Sequence, residues 1–218
     1  MTFAFASAIC LAGAGCSSPG STATEPILFV HGYNRNASDW DLMIRRFAVE
    51  GWPRQRLSAY SYDTRQSNKT AAAQDVRSHV ESLLEATGAE KVDIVAHSMG
   101  SINTRWYIKF LGGASKVDDW VSLGGPNHGS MLGSLCPRSI ASCAEMRPDS
   151  RFLNELNAGD ETPGAVNYGT WWSRQDGILN PSTTVPLTGA TNTEAPGVNH
   201  LKLLQDINVY IQVRDFVK

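Results

Sequence analysis

KVDIVAHSMGS, Lys91 to Ser101, is the stretch whose reading decides the rest. Val92, Ile94, Val95 and Ala96 make a short apolar run, the mark of a strand buried on both faces. That run passes directly into His97-Ser98-Met99-Gly100, and SINTRWYIKFLGG then has the spacing of a helix ending at Gly112-Gly113. A serine at a strand–turn–helix corner stands with its hydroxyl outward, and its flanking residues must be small because the chain packs closely there. The pattern calls for G-x-S-x-G; here Ala96 takes the first small position and Gly100 the last. A helix N-cap role would account for Ser98 but not for its small neighbours. Ser98 is expected to be a nucleophile.

Outward from this corner, apolar runs and helical stripes alternate. PILFVH (Pro26 to His31) reads as a buried strand, SDWDLMIRRFAVEG as a helix, and RLSAYSYD (Arg56 to Asp63) as a second strand. TAAAQDVRSHVESLLEATG carries Val76, Val80, Leu83 and Leu84 on one stripe, with Gly88 as its stop. After the Ser98 corner come the strand VDDWVSLGG (Val117 to Gly125) and a loop-like stretch from Pro126 to Pro148. DSRFLNELN then reads as a short helix, AVNYGTWWS and TTVPLTGA as strands, and NHLKLLQDINVYIQVRDFV as one closing helix. Such alternation implies βαβ units: an α/β fold with a mostly parallel central sheet and helices on both faces. One domain is expected over residues 26–218, with no segment that reads as a large lid.

The 218 residues suit a single domain, and the 42% apolar and 18% charged fractions suit a folded core. A net charge of -2 offers no basic stripe for nucleic acid. MTFAFASAICLAGAG (Met1 to Gly15) has no charged residue, and CSSPGSTATEP follows as a spacer. Residues 1–25 are thus expected to be an export signal and linker, lacking the basic n-region and so pointing to a start upstream. Cys16, preceded by small residues, is a candidate lipid anchor, although Gly13 stands where that motif prefers Leu. Cys136 and Cys143, in LCPRSIASC, are expected to pair in an oxidising compartment; a metal clip is the weaker alternative, lacking further ligands.

A serine hydroxyl needs a base, and the base an orienting acid. His200, in GVNH, falls after the last strand, where the order nucleophile–acid–histidine requires the base; His128, in GGPNHGS, competes with it. His31 and His97 read as residues holding backbone in place, and His79 as a helix residue. Asp176, following the aromatic strand in WWSRQDGILNP, is the expected acid; Glu194 also falls before His200, and Asp160 is the runner-up on the wrong edge. Oxyanion donors are expected from the backbone N–H of Met99 and from Tyr33 in the HGYN loop, where Gly32 permits close approach.

PILFVHGYN, VDIVAHSMGS, SLGGPNHGS, FLNELNAGDETPG, WWSRQDGILNP and GVNHL together resemble the secreted bacterial class 2 lipases and esterases of the α/β-hydrolase superfamily, from about Pro26 to Val213. The resemblance implies an α/β-hydrolase fold, Ser98, Asp176 and His200 as a triad, and Tyr33 and Met99 as an oxyanion hole. It further implies cleavage of carboxylic esters through an acyl-serine, with no metal or organic cofactor. The sequence departs from the family pattern at Ala96, which meets the small-residue demand less fully than Gly, and at Ser101, a change at the helix start that touches no catalytic role. Trp40, Trp172 and Leu201 are the expected lining of an apolar acyl cleft open to short and medium chains. The expected partner is an ester or lipid substrate, and the expected state a monomer. Two other readings remain on this scaffold: an amidase, peptidase or acyltransferase using the same triad, and a catalytically silent surface-binding protein.

Overall fold

The computed structural model describes residues 24–218; the leader and Cys16 lie outside the described residues. In chain order the elements are β1 (Ile27–Val30), α1 (Asp41–Val49), β2 (Leu57–Tyr60), α2 (Ala73–Thr87), β3 (Val92–His97), α3 (Met99–Phe110) and β4 (Val117–Leu123). They continue with α4 (Met131–Leu135), α5 (Ala141–Glu145), α6 (Arg151–Asn157), β5 (Asn167–Trp172), β6 (Thr191–Glu194) and α7 (Ile207–Phe216). The strands form one sheet in the order β2-β1-β3-β4-β5-β6, and every pairing is parallel.

The pleat sorts the apolar runs into two layers. Ile27, Phe29, Val95, Val121 and Trp171 face one side, packed with Met43 and Phe47 of α1 and Val209 and Val213 of α7. Leu28, Val30, Ile94, Ala96 and Trp120 face the other, packed with Val76 and Val80 of α2 and Ile102 and Trp106 of α3. Burial on both faces is why these strands read as continuous apolar runs rather than alternating ones. Each fully buried Val, Leu, Ile or Phe contributes about 1.5–3 kcal/mol relative to exposure, so the central strands anchor the molecule.

Three elements differ from the sequence reading. TTVPLTGA is not a strand: Pro186 has no N–H to give a ladder, and the Asn192 side chain instead holds both the N–H and C=O of Leu187 at 3.0 and 2.9 Å. Val185 and Leu187 are buried as loop residues, while the edge strand is the polar TNTE of β6. The single closing helix is two pieces, a 3-10 turn at Lys202–Leu204 and then α7, because Asp206 caps Asn208 and Val209 at a new start. The loop-like stretch after β4 contains the five-residue helices α4 and α5, and there Cys136 and Cys143 are joined in a disulfide.

From β1 the chain goes to β2 on one side, then returns to place β3 on the other. The carboxyl ends of β1 and β3 therefore flank the crevice where the strand order reverses, the usual ligand position in open α/β sheets.

Candidate active site

Ser98 sits between β3 and α3 with φ 53° and ψ -128°, a conformation that L-residues with a side chain rarely hold. The surrounding backbone pins it: Ser98 N–H donates to Leu123 C=O at 2.9 Å, and Ser101 N–H donates to Ser98 C=O at 2.9 Å. Close packing explains the small neighbours. A Cβ on Gly100 would lie 2.6 Å from the Val30 carbonyl oxygen, and one on Gly32 would lie 2.7 Å from Ser98 Cβ. Ala96, in register with Val30, is fully buried and fits the position where the pattern has glycine.

Asp176 and His200 meet. The loop after β5 turns so that Asp176 Oδ1 accepts the N–H groups of Ile178 and Leu179 at 3.0 and 2.7 Å. Its Oδ2 lies 2.8 Å from His200 Nδ1, with both side chains almost fully buried. His200 N–H also donates to Asp176 C=O at 2.9 Å, so backbone and ring are fixed together. A carboxylate can only accept, so the His200 proton sits on Nδ1 and Nε2 keeps its lone pair. Against this ring stands His97, at 4.6 Å between centroids, its Nε2 donating to His200 C=O at 3.1 Å. Burial pushes the His97 ring well below its ordinary pKa, and the neighbouring His200 adds to the shift. His97 is a neutral support.

The loop after β1 is held by a second histidine. Tyr62 N–H donates to His31 Nε2 at 3.3 Å, which leaves Nδ1 as the protonated nitrogen, donating to Gly32 C=O at 2.9 Å. The Gly32–Tyr33 peptide is trans, so fixing that carbonyl turns the Tyr33 N–H the opposite way. Tyr62 Oη closes the frame, donating to His31 C=O at 2.8 Å and accepting from Asn103 Nδ2 at 3.0 Å. The His31 and Tyr62 rings stack at 4.4 Å, and burial lowers the His31 pKa. Met99 is the first residue of α3, where an N–H has no partner within its own helix.

A cleft of about 230 Å³ joins these parts, lined by Gly32, Tyr33, Asn34, Arg35, His97, Ser98, Ile178, His200 and Leu201. Leu201 thus lines the cleft, together with Ile178, which the sequence reading missed. Trp40 does not: it is fully buried behind β1, 5.2 Å from the Phe29 ring, and is a core residue. Trp172 is not among the lining residues either; it is half-buried at the end of β5 beneath the Arg174 guanidinium. The Tyr33 hydroxyl lies 3.9 Å from Cys136 Sγ, which joins it to the segment after β4.

The competing residues are engaged elsewhere. His128 Nε2 pairs with Glu161 at 2.6 Å, and its Nδ1 donates to Thr184 C=O at 3.1 Å. Asp160 is exposed and caps Thr162 N–H, and Glu194 pairs with Arg174 on the edge strand.

The family model for Lipase (class 2) matches residues 24–215. The chain belongs to the class 2 lipase family. Membership places this lipase-family protein among hydrolases acting on esters. Solved structures agree on the fold. The mature form of Bacillus licheniformis lipase BlEst2 superposes with a TM-score of 0.76 at 17% identity, covering 90% of this chain and 93% of that one. Aspergillus fumigatus lipase B has a TM-score of 0.70 at 16% identity, over 88% of this chain and 51% of that one. Phospholipase PlaB of Legionella pneumophila has a TM-score of 0.70 at 13% identity, over 89% of this chain and 59% of that one. The all-parallel sheet with helices on both faces is an α/β-hydrolase fold.

Proposed function

We propose that this lipase-family protein hydrolyses short- and medium-chain carboxylic esters through an acyl-serine intermediate. The observation that carries the reading is one cleft holding Ser98 on its strained elbow together with a His200 ring whose Nδ1 is committed to Asp176. In the first step His200 Nε2 takes the Ser98 proton as Oγ attacks the ester carbonyl, and Asp176 stabilises the imidazolium. The N–H groups of Tyr33 and Met99 receive the oxyanion, whose stabilisation is commonly the largest single catalytic contribution. His200 then protonates the leaving alcohol, and water, activated by the same ring, releases the acid.

A cleft of about 230 Å³ is smaller than the roughly 300–1,000 Å³ of sites that enclose drug-sized ligands. That size favours short acyl chains, and the half-exposed Ile178 and Leu201 extend an apolar rim beyond the cleft. The Cys136–Cys143 disulfide supports export, since such bonds persist in oxidising compartments. Among the described residues no helix is long and apolar enough to cross a membrane. The test is a series of p-nitrophenyl esters of increasing acyl length beside matched anilides, with Ser98→Ala as control. Ester turnover greatest at short and medium length, and lost in Ser98→Ala, is expected. Faster anilide than ester cleavage would favour an amidase.

A further inference from the structure

At the end of the sheet opposite the cleft, a second polar cluster has no part in this chemistry. Asp93 lies on β3 and Asp118 and Asp119 on β4, and one carboxylate oxygen from each lies within 4.8 Å of the others. A bulge gathers them. Val92 pairs with Val117 and Ile94 with Trp120, so two residues of β4, Asp118 and Asp119, stand opposite the single Asp93.

The cluster is short of positive charge. Asp118 pairs with Lys91 at 2.6 Å, and both are substantially exposed. Asp119 accepts from Asn167 Nδ2 at 2.8 Å. Asp93 is 1% exposed; its Oδ1 accepts Asp119 N–H at 3.1 Å, and its Oδ2 has no hydrogen-bond partner among the described residues. A buried carboxylate oxygen without a partner is costly, and Asp93 carries it beside two further acids. Burial first, then the adjacent acids, push the Asp93 carboxyl well up and the Asp119 carboxyl to about 6.

We propose that Asp93, Asp118 and Asp119 form a binding site for a hard divalent cation of the calcium class, which ties the amino ends of β3 and β4. A cation that displaces the proton held by the crowded, buried carboxyls leaves three carboxylates against the one Lys91 ammonium, two negative charges that a divalent ion neutralises. An all-oxygen donor set selects a hard cation. A spread of up to 4.8 Å suits calcium, whose bonds of about 2.3–2.6 Å tolerate irregular sets, better than magnesium, which demands an octahedron at about 2.0–2.1 Å. Asp118, paired with Lys91 through Oδ1, is half-exposed, so solvent can complete the shell on that side.

Calorimetric titration with CaCl₂ and thermal unfolding of the whole chain test this, with MgCl₂ and NaCl at matched ionic strength as references. Calcium is expected to bind near one equivalent and to raise Tm by roughly 5–10 °C at a hundredfold excess over Kd, with a much smaller response to magnesium. Asp119→Asn should abolish both signals and, without calcium, be no less stable than the parent, because it removes a crowded charge. Asp118→Asn, at a more exposed position, should weaken calcium binding in the same sense. Equal Tm in all three salts, an equal response to magnesium, or a calcium response surviving in Asp119→Asn would overturn the site.

Discussion

Replacing Asp176 by Asn tests how His200 is oriented, and the geometry fixes what the amide must do. The Asp176 Oδ1 position accepts two backbone N–H groups at 3.0 and 2.7 Å, so the amide oxygen has to remain there. Turning the amide over would aim its NH₂ at both donors and leave them unpaired, at about 1–3 kcal/mol for the buried Leu179 N–H and less for the part-buried Ile178 N–H. The NH₂ therefore takes the Oδ2 place, 2.8 Å from His200 Nδ1. That nitrogen can then only accept, so the ring proton moves to Nε2 and the ring can no longer take the Ser98 proton. The corresponding change in a serine protease costs about 10⁴ in turnover, or about 5.5 kcal/mol at 1.36 kcal/mol per tenfold. A fall in kcat of about 10²–10⁴ is expected here, with KM little changed, since Asp176 is not among the cleft-lining residues. Steady-state hydrolysis of p-nitrophenyl butyrate measures both constants, and ¹⁵N NMR of the His200 ring reads the tautomer. Asp160→Asn, at an exposed turn, serves as control. A kcat for Asp176→Asn within about tenfold of the parent, or a crippled Asp160→Asn beside it, would refute the orientation.

Gly100→Ala puts a methyl 2.6 and 2.8 Å from the Val30 and His31 carbonyl oxygens, so a loss of about 1–3 kcal/mol is expected; an unchanged Tm would contradict that packing. Cys136→Ser opens a loop with a sequence separation of 7, for which loop-closure entropy gives about 2.5 kcal/mol. Tm should fall by roughly 5–10 °C while kcat stays close to the parent, and a variant as stable as the parent would show the bond contributes nothing. Burial holds the His31, His79 and His97 pKa values below their ordinary 6.5. The unfolded chain therefore binds protons first on acidification, and their stability contribution, fully present above pH 6.5, is lost as pH falls toward the folded values. The raised Asp93 and Asp119 carboxyls act in the opposite sense over the same range, so the test is the Tm difference between the parent and His97→Gln from pH 8 to pH 5, which should shift against the parent below about 6.5; a difference independent of pH would contradict a neutral buried His97.

The fold was legible because both faces of the central strands are covered, so ILFV and the IVA of β3 carry an apolar signal that does not alternate, interrupted in β3 by Asp93 alone. The same signal misled at Val185 and Leu187, which are buried in a loop whose backbone is held by Asn192 rather than by a strand. The true edge strand, TNTE, is half solvated and has no such signal. At the candidate site, the nearness of Asp176 to His200 and of His200 to Ser98 was anticipated from their order along the chain and their places after strands. Trp40 was not, because an aromatic after a strand end reads alike whether it turns inward or toward the cleft. The Tyr62 and Asn103 contacts that fix His31 join residues 31 and 41 positions apart, and no local pattern marks them. The Asp93 cluster was equally invisible, since it needs a bulge to bring β4 into place.

The most direct test of the catalytic reading is labelling with a fluorophosphonate ester, followed by peptide mass spectrometry. A phosphonate mimics the tetrahedral intermediate and reacts only with a serine activated by its base and received by oxyanion donors. The expected result is a single adduct on the peptide containing Ser98, formed in step with loss of ester hydrolysis, and absent from Ser98→Ala. An enzyme that hydrolyses esters yet stays unlabelled, or an adduct that persists in Ser98→Ala, would contradict Ser98 as the nucleophile.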